Sequence, residues 1–442
     1  MDEEQCICAG CVEDKYIRKL ISTTGSTEFP CGYCNCDDPT VPLEDIADMV
    51  HTVLERDYTT SAESHYEGDN AESIIRMELG VEEEVATDIF QILYNKHNDP
   101  HDYGVYNDER EYVSIAATTR EYDSTWTRLK TSLRTRTRFF NDELRAFLDG
   151  IFSRIGSIPA EAGSTVRQMN INHTLYRARL FEDYAELEEA LKHPARNFGP
   201  PPTTSATSGR MNASGVPVFY GALSPKTAIA EVRPAVGNLI VVAAFRPLRP
   251  LNLLDLSALE QLKISGGSSF DPDIQRHKEV TSFLQTLSRK LTIPMFGKSR
   301  ESEYLITQAL AEYLSLLTKP GLDGIMFHST QREEPEIKED ADHNVVLFSK
   351  SAFVLNSGPH DAQYSVNMYD FEEGIGSYPS PSLWPQAESA KAMKIFRGDR
   401  SSQEVATLEI DAGKLEIHTV KAVSFDTLSF PVYLSNGKKL RL

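Results

Sequence analysis

No run of eighteen apolar residues occurs in the 442-residue chain, so no membrane-spanning helix is expected. The first ten residues, MDEEQCICAG, are acidic and hold no apolar stretch of signal-peptide length, which predicts a cytoplasmic protein. Cysteine is absent beyond residue 36, and all six lie within the first 36 residues. That distribution predicts a reducing compartment and one dedicated cysteine site. Positive charge is also scarce. Lys and Arg total 45 against 65 Asp and Glu, a net charge of −20 that opposes unaided binding to a phosphate backbone. Several nucleotide and metal motifs are missing too. No G-x-G-x-x-G follows a strand-like run, and no H-E-x-x-H occurs. The stretch FGKSR (296–300) has Thr292 where a phosphate loop needs its first glycine. In the helical region no Arg is followed four to six residues later by His, which counts against the nuclease chemistry of some small helical bundles.

The acids that are present are concentrated. From Asp37 to Glu111 there are 21 acids against the four bases Arg56, Arg76, Lys96 and Arg110, so this region carries −17 and the rest is nearly balanced. Residues 39–160 read as an acidic helical domain. LEDIADMVHTVLERDY places Leu43, Ile46, Met49, Val50, Val53 and Leu54 at helical spacing. VATDIFQILYN and NDELRAFLDGIFSRI repeat the pattern, the latter with Asn141 as its cap. Arg128, Lys130, Arg134, Arg136 and Arg138 form a basic cluster, either paired with acids of neighbouring helices or offered to an acidic partner or RNA.

Residues 1–38 read as a cysteine-rich module. Cys8-x2-Cys11 and Cys31-x2-Cys34 supply four thiolates at the spacing a tetrahedral zinc site takes. Four thiolates leave no open position, so the role of Zn2+ would be structural. Two disulfides are the alternative pairing, and Cys6 and Cys36 are spare ligands able to replace Cys8 or Cys34.

From residue 165 to 442 the pattern changes to a mixed α/β domain. TLYRARL, VPVFYGAL, NLIVVAAF, DGIMFHS, NVVLF and the final VATLEIDAGKLEIHTVKAVSF carry strand signals. SPKTAIAEV, HKEVTSFLQTLSRKL and YLITQALAEYLSLL carry helical ones. Residues 358–405 read as an irregular insertion.

Within this domain one constellation carries chemistry. Arg177 sits mid-strand, where its fork of donors suits a pyrophosphate or carboxylate. Gly209, Arg210 and Asn212 form a turn that could face an anion. Tyr220 follows in the next strand, and Glu231 ends an alanine-rich helix, where it is expected to be desolvated. Ser329, with Thr307 and Gln308 upstream, completes the candidate set.

The stretch LYRARL followed by GRMNASGVPVFYGALSPKTAIAEVRP resembles the RES domain, named for its Arg, Glu and Ser. YLITQALAEYLSLLTKPGLDGIMFHST and HNVVLF continue the likeness, and the cysteine pairs with the acidic helices resemble the HEPN/RES N-terminal module. The resemblance implies an α+β protein: a zinc knuckle and helical region, then a mixed α/β domain similar to the ADP-ribosyltransferase fold. It implies an enzyme that cleaves NAD+ between nicotinamide and ribose by hydrolysis or phosphorolysis, acting as a toxin or defence effector. Glu231, Arg177 and Ser329 would be catalytic. Arg210, Tyr220, Asn212, Gly209, Thr307 and Gln308 would bind substrate, and Cys8, Cys11, Cys31 and Cys34 would hold zinc. Partners would be NAD+, an antitoxin or trigger protein, and a second copy of the chain, without membrane or nucleic acid. ADP-ribosyl transfer to a macromolecule and an inactive adaptor are the alternatives.

Overall fold

The computed structural model describes residues 5–60, 68–98, 106–107, 110–115, 119–152, 155, 159–160, 163–263, 267–292, 300–329, 342–355, 363–374, 376–386, 406–424, 427 and 429–430. The chain groups into two compact units, Met1–Thr127 with Leu262–Thr286, and Arg128–Gln261 with Leu287–Leu442.

In the N-terminal unit, the strand Cys6–Cys8 pairs antiparallel with Thr40–Pro42 and clasps the cysteine module. The helix Lys15–Thr24 starts where the Asp14 carboxylate accepts the backbone N–H groups of Tyr16 and Ile17. The helices Leu43–Asp57, Ala71–Leu79 and Glu83–His97 follow. The second of these stops at Gly80, whose φ of 60° is the left-handed region that glycine tolerates. Ile7, Ile17 and Ile21 of the cysteine module join Ile46, Val50, Leu54, Ile75, Ile89 and Leu93 in one core. Each such side chain contributes about 1.5–3 kcal/mol on burial, so module and helices are stabilised together. Phe270, from the returning 262–286 segment, is part of the same core.

The second unit is built on a sheet whose described strands run in the order Leu408–Thr419, Leu239–Pro247, Leu175–Phe181, Phe219–Ala222, His343–Leu347, Gly324–His328, Leu251–Asp255 and Val166–Met169. Leu251–Asp255 and Gly324–His328 run parallel, while the other neighbours are antiparallel. The sheet therefore bears out the mixed α/β expectation. One face packs Leu175, Phe181, Phe219, Phe245, Val345 and Leu347 with Leu187 and Phe198 from the helices Tyr184–Leu191 and Pro194–Phe198. On the other, Ala178, Ala222, Ile240 and Val242 meet Ala228 of the helix Pro225–Glu231. Alanine on both sides of this contact lets the short helix lie close against the sheet. Among the described residues no helix is long and apolar enough to cross a membrane.

The 358–405 insertion is more regular than its sequence indicates. Tyr364–Glu372 and Gly376–Pro385 pair as an antiparallel hairpin. Met368 is buried, and the Tyr364 N–H donates to the Lys192 carbonyl at 2.9 Å. Pro379, Pro381 and Pro385 hid the second strand, because proline argues against a strand interior. In a two-stranded ribbon both strands are edges, so the missing N–H groups cost little. Residues 356–362 and 387–405 lie outside the described residues.

Candidate functional site

The Ser208–Pro234 unit folds as a braced turn, a strand and a short helix. The Gly209 N–H donates to the Asn212 carbonyl at 3.0 Å. The Asn212 amide donates to the carbonyls of Thr207, Ala213 and Val216 at 2.9, 3.2 and 3.1 Å. From the helix Arg300–Leu316, the Gln308 amide reaches Ser208 Oγ and the carbonyls of Gly209 and Asn212 at 2.9, 2.7 and 3.0 Å. Thr307 Oγ1 donates to the Arg210 carbonyl at 2.5 Å. The structure thus uses the polar groups of Asn212, Thr307 and Gln308 to hold the turn itself. A Cβ on Gly209 would meet Asn212 Oδ1 at 2.4 Å and the Tyr220 hydroxyl at 2.7 Å, so only glycine fits.

Tyr220 is locked to this turn. Its hydroxyl donates to Asn212 Oδ1 at 2.9 Å and accepts the Met211 N–H at 3.1 Å. The residue is 37% exposed, although its hydroxyl is engaged by these two partners. Burial raises its pKa, against the Met211 N–H and the charges of Arg210 and Arg177, which pull it down. The Arg210 guanidinium donates to the Leu291 carbonyl at 3.1 Å.

Glu231 is the last residue of the helix Pro225–Glu231, which Ser224 caps and Pro225 opens. The helix stops because Arg233 takes a φ of 48° and proline follows it. Two donors from the sheet meet the Glu231 carboxylate. Ser329 Oγ, one residue beyond the strand Gly324–His328, and Asn344 Nδ2, inside His343–Leu347, both lie 2.7 Å from Glu231 Oε1. Sequence reasoning placed Glu231 and Ser329 but missed Asn344. The only available signal was a polar residue opening the apolar run NVVLF. The expectation of a buried Glu231 is corrected, because Glu231 is exposed. The helix turns Thr227 and Ala228 toward the sheet, and its final turn carries the carboxylate past the packed face.

Arg177 pairs in register with Ala243, and its guanidinium carbon lies 5.7 Å from the Phe219 ring centroid. Its Nη1 is buried and has no hydrogen-bond partner among the described residues. Burial, then the charge of Arg179, pulls its pKa down to about 10. The strand that carries it pairs fully with Leu239–Pro247 but meets Phe219–Ala222 at Tyr176 and Ala222 alone. The two strands therefore part beside Arg177 and Tyr220.

The register brings Tyr220 and Asn344 to one face of the sheet and turns Arg177, paired with Ala243, to the other. Tyr220 pairs with Val346 and Ala222 with Asn344. Tyr220 and Asn344 therefore share a face as diagonal neighbours, about 7–8 Å apart. Arg177 is coupled to Tyr220 through charge but makes no direct hydrogen bond to Glu231.

In the N-terminal unit, Cys8, Cys11, Cys31 and Cys34 bring their sulfurs within 4.8 Å of one another. The measured separations are 3.8 Å for Cys8–Cys11, 3.5 Å for Cys8–Cys34 and 3.7 Å for Cys11–Cys31. None of the six cysteines is in a disulfide, against the disulfide alternative. Cys6 and Cys36 are not in this set of four, although the Cys36 side chain also contacts Cys34 and Cys8. Four thiols at these distances are close enough to bind one metal ion. The Cys36 N–H, above other causes, draws the Cys34 thiol down to about 6, while burial pushes Cys11 up. In the basic cluster, Arg128 pairs with Glu143 of the helix Asp142–Phe152 at 2.7 Å.

No curated protein and no solved structure matches the chain. Residues 174–366, which hold Arg177, the braced turn, Tyr220, Glu231 and Ser329, match the family model of the RES domain, and this match supports the RES family for that part of the chain.

Proposed function

We propose that the second unit cleaves NAD+ at the bond between nicotinamide and ribose. The observation that carries this reading is the Glu231 carboxylate, held by Ser329 and Asn344 through one oxygen. Nicotinamide leaves as a neutral group, taking the electron pair of the broken C–N bond, so no general acid is needed. The sugar carbon becomes oxocarbenium-like, and a carboxylate beside it stabilises the developing positive charge. Water or phosphate then supplies the oxygen that completes the new bond.

Arg177 supports the same reading. A buried guanidinium nitrogen without a partner costs about 1–3 kcal/mol or more, and the diphosphate of a dinucleotide would satisfy it. Remote contacts of this kind let binding energy orient the scissile bond. Glu231 is exposed in the free chain, so bound substrate would itself exclude water from the carboxylate. That exposure also favours a second reading, transfer of ADP-ribose to a macromolecular acceptor. A likeness to the ADP-ribosyltransferase fold is part of the proposal.

For the four-thiol cluster the proposed metal is Zn2+. Zinc–sulfur bonds of about 2.3 Å in a tetrahedron fit sulfur separations of 3.5–3.8 Å. The acidic N-terminal unit is proposed to be the HEPN-like part that gates activity toward a trigger or antitoxin.

The test is incubation of the purified full chain with NAD+, with and without phosphate, followed by chromatography of nicotinamide and ADP-ribose. Nicotinamide release supports cleavage, and a phosphorylated ADP-ribose selects phosphorolysis over hydrolysis. Nicotinamide released only when an acceptor protein or nucleic acid is added selects transfer. No release under any of these conditions overturns the enzyme reading.

A further inference from the structure

Glu231 is an exposed residue at the end of a seven-residue helix. Left to itself, such a side chain would sample many rotamers. Both donors that restrain it approach Oε1, so Oε2 has no partner among the described residues. The donors differ in how firmly they are held. Ser329 lies one residue past the end of its strand. Asn344 lies inside a strand paired on both sides, opposite Ala222 in one neighbour and Phe327 in the other, and is 5% exposed.

Asn344 also carries a fault that packing alone does not explain. Its Oδ1 is buried without a hydrogen-bond partner among the described residues, which costs a fold stability. An apolar residue of similar shape would avoid that cost on this alanine-lined face.

We infer that Asn344 is a positioning residue, which pins Oε1 of Glu231 from the rigid sheet so that Oε2 is the oxygen presented to the reacting sugar. The inference rests on the proposed NAD+ cleavage, and it names which oxygen works and what aims it.

The test compares wild type, Asn344→Leu, Glu231→Gln and the double variant of the full chain in nicotinamide release and thermal melting. Asn344→Leu is expected to lower kcat about 10- to 100-fold, leave KM within about threefold, and melt no lower than wild type. In the Glu231→Gln background the same change should cost less than about threefold more, because there is no longer a carboxylate to aim. Asn344→Asp, isosteric and able to fold, removes the donor and sets a second carboxylate against Glu231. Its loss relative to wild type should be large at pH 7.5 and partly recovered near pH 5, where a shared proton restores a hydrogen bond between the two. Equal losses in both Glu231 backgrounds, a wild-type kcat, or activity lost in step with melting temperature would overturn the role. A wild-type chain that releases no nicotinamide sinks the enzyme reading and this inference together, whereas wild-type turnover with an unaffected Asn344→Leu sinks this inference alone.

Discussion

The two polar clusters of the molecule are built on opposite plans. In the N-terminal unit the four sulfurs of Cys8, Cys11, Cys31 and Cys34 face one another within 4.8 Å and enclose a single point. In the second unit polar groups on both faces of the sheet are left incomplete, with Glu231 and Asn344 on one face and Arg177 on the other. Glu231 Oε2, Asn344 Oδ1 and Arg177 Nη1 have no hydrogen-bond partner among the described residues. The braced turn beside them is saturated, with Asn212 and Gln308 each donating to three acceptors. A closed set of ligands serves stability, because no position is open to a substrate. Unmet polar groups beside a saturated scaffold are what the proposed substrate would satisfy.

The sharpest way to break this contrast is to remove the closed cluster. Cys8→Ser or Cys31→Ser should abolish bound zinc by elemental analysis and melt the N-terminal unit. Structural zinc contributes apparent binding energies of about 10–16 kcal/mol, and the cluster shares its core with the helices. Nicotinamide release by the second unit should survive the change. Zinc-free wild-type protein, or variants that melt normally, would remove the structural metal.

Next in size is Glu231→Gln. The amide keeps the shape and still accepts from Ser329 and Asn344, but it carries no charge for the oxocarbenium-like sugar. At least a 100-fold loss in kcat is expected, with unchanged melting, and comparable rates would remove Glu231 from the chemistry.

Arg177→Met should separate stability from function. The folded-state pKa of Arg177 is depressed to about 10, well below the usual arginine range, chiefly by burial, so the fold disfavours its charge by on the order of 3 kcal/mol. This cost is present in full below pH 10. It fades as the pH rises above about 10 toward the ordinary arginine pKa, a range in which the unfolded chain holds the proton more tightly. The variant should therefore melt higher at neutral pH while losing affinity for NAD+ by calorimetry. In wild type, affinity should fall as the pH approaches 10. A variant that melts lower and binds NAD+ normally would contradict both halves.

The smallest effect is expected from Ser329→Ala, about tenfold in kcat, because Asn344 still holds Oε1. A loss equal to that of Glu231→Gln would make Ser329 more than a tether.

Much of this was legible in the chain itself. The stripe Ile46, Val50, Val53 and Leu54 marked a helix, the alternating and apolar runs marked strands, and Asn141 marked a cap, because these signals repeat at short range. The paired Cys-x2-Cys spacing limited the metal ligands to a few choices, and the distances then selected four. The turn at Gly209 to Asn212 was equally visible, yet its function as a brace was not. That depends on Gln308, about a hundred positions away in sequence.

Sequence by itself determined the elements, the charge of the N-terminal half and the residue types able to stabilise a cationic sugar. Tertiary structure decided which of them meet. It carried Glu231 out to solvent at the end of its helix instead of burying it among alanines, and it brought Asn344 from one strand and Ser329 from just past the end of the next to one oxygen. It also returned 262–286 to the N-terminal unit. The physical reason is common to all three. Local propensity and periodicity act over a few residues, whereas strand register and the burial of a shared core are settled only when distant segments pack.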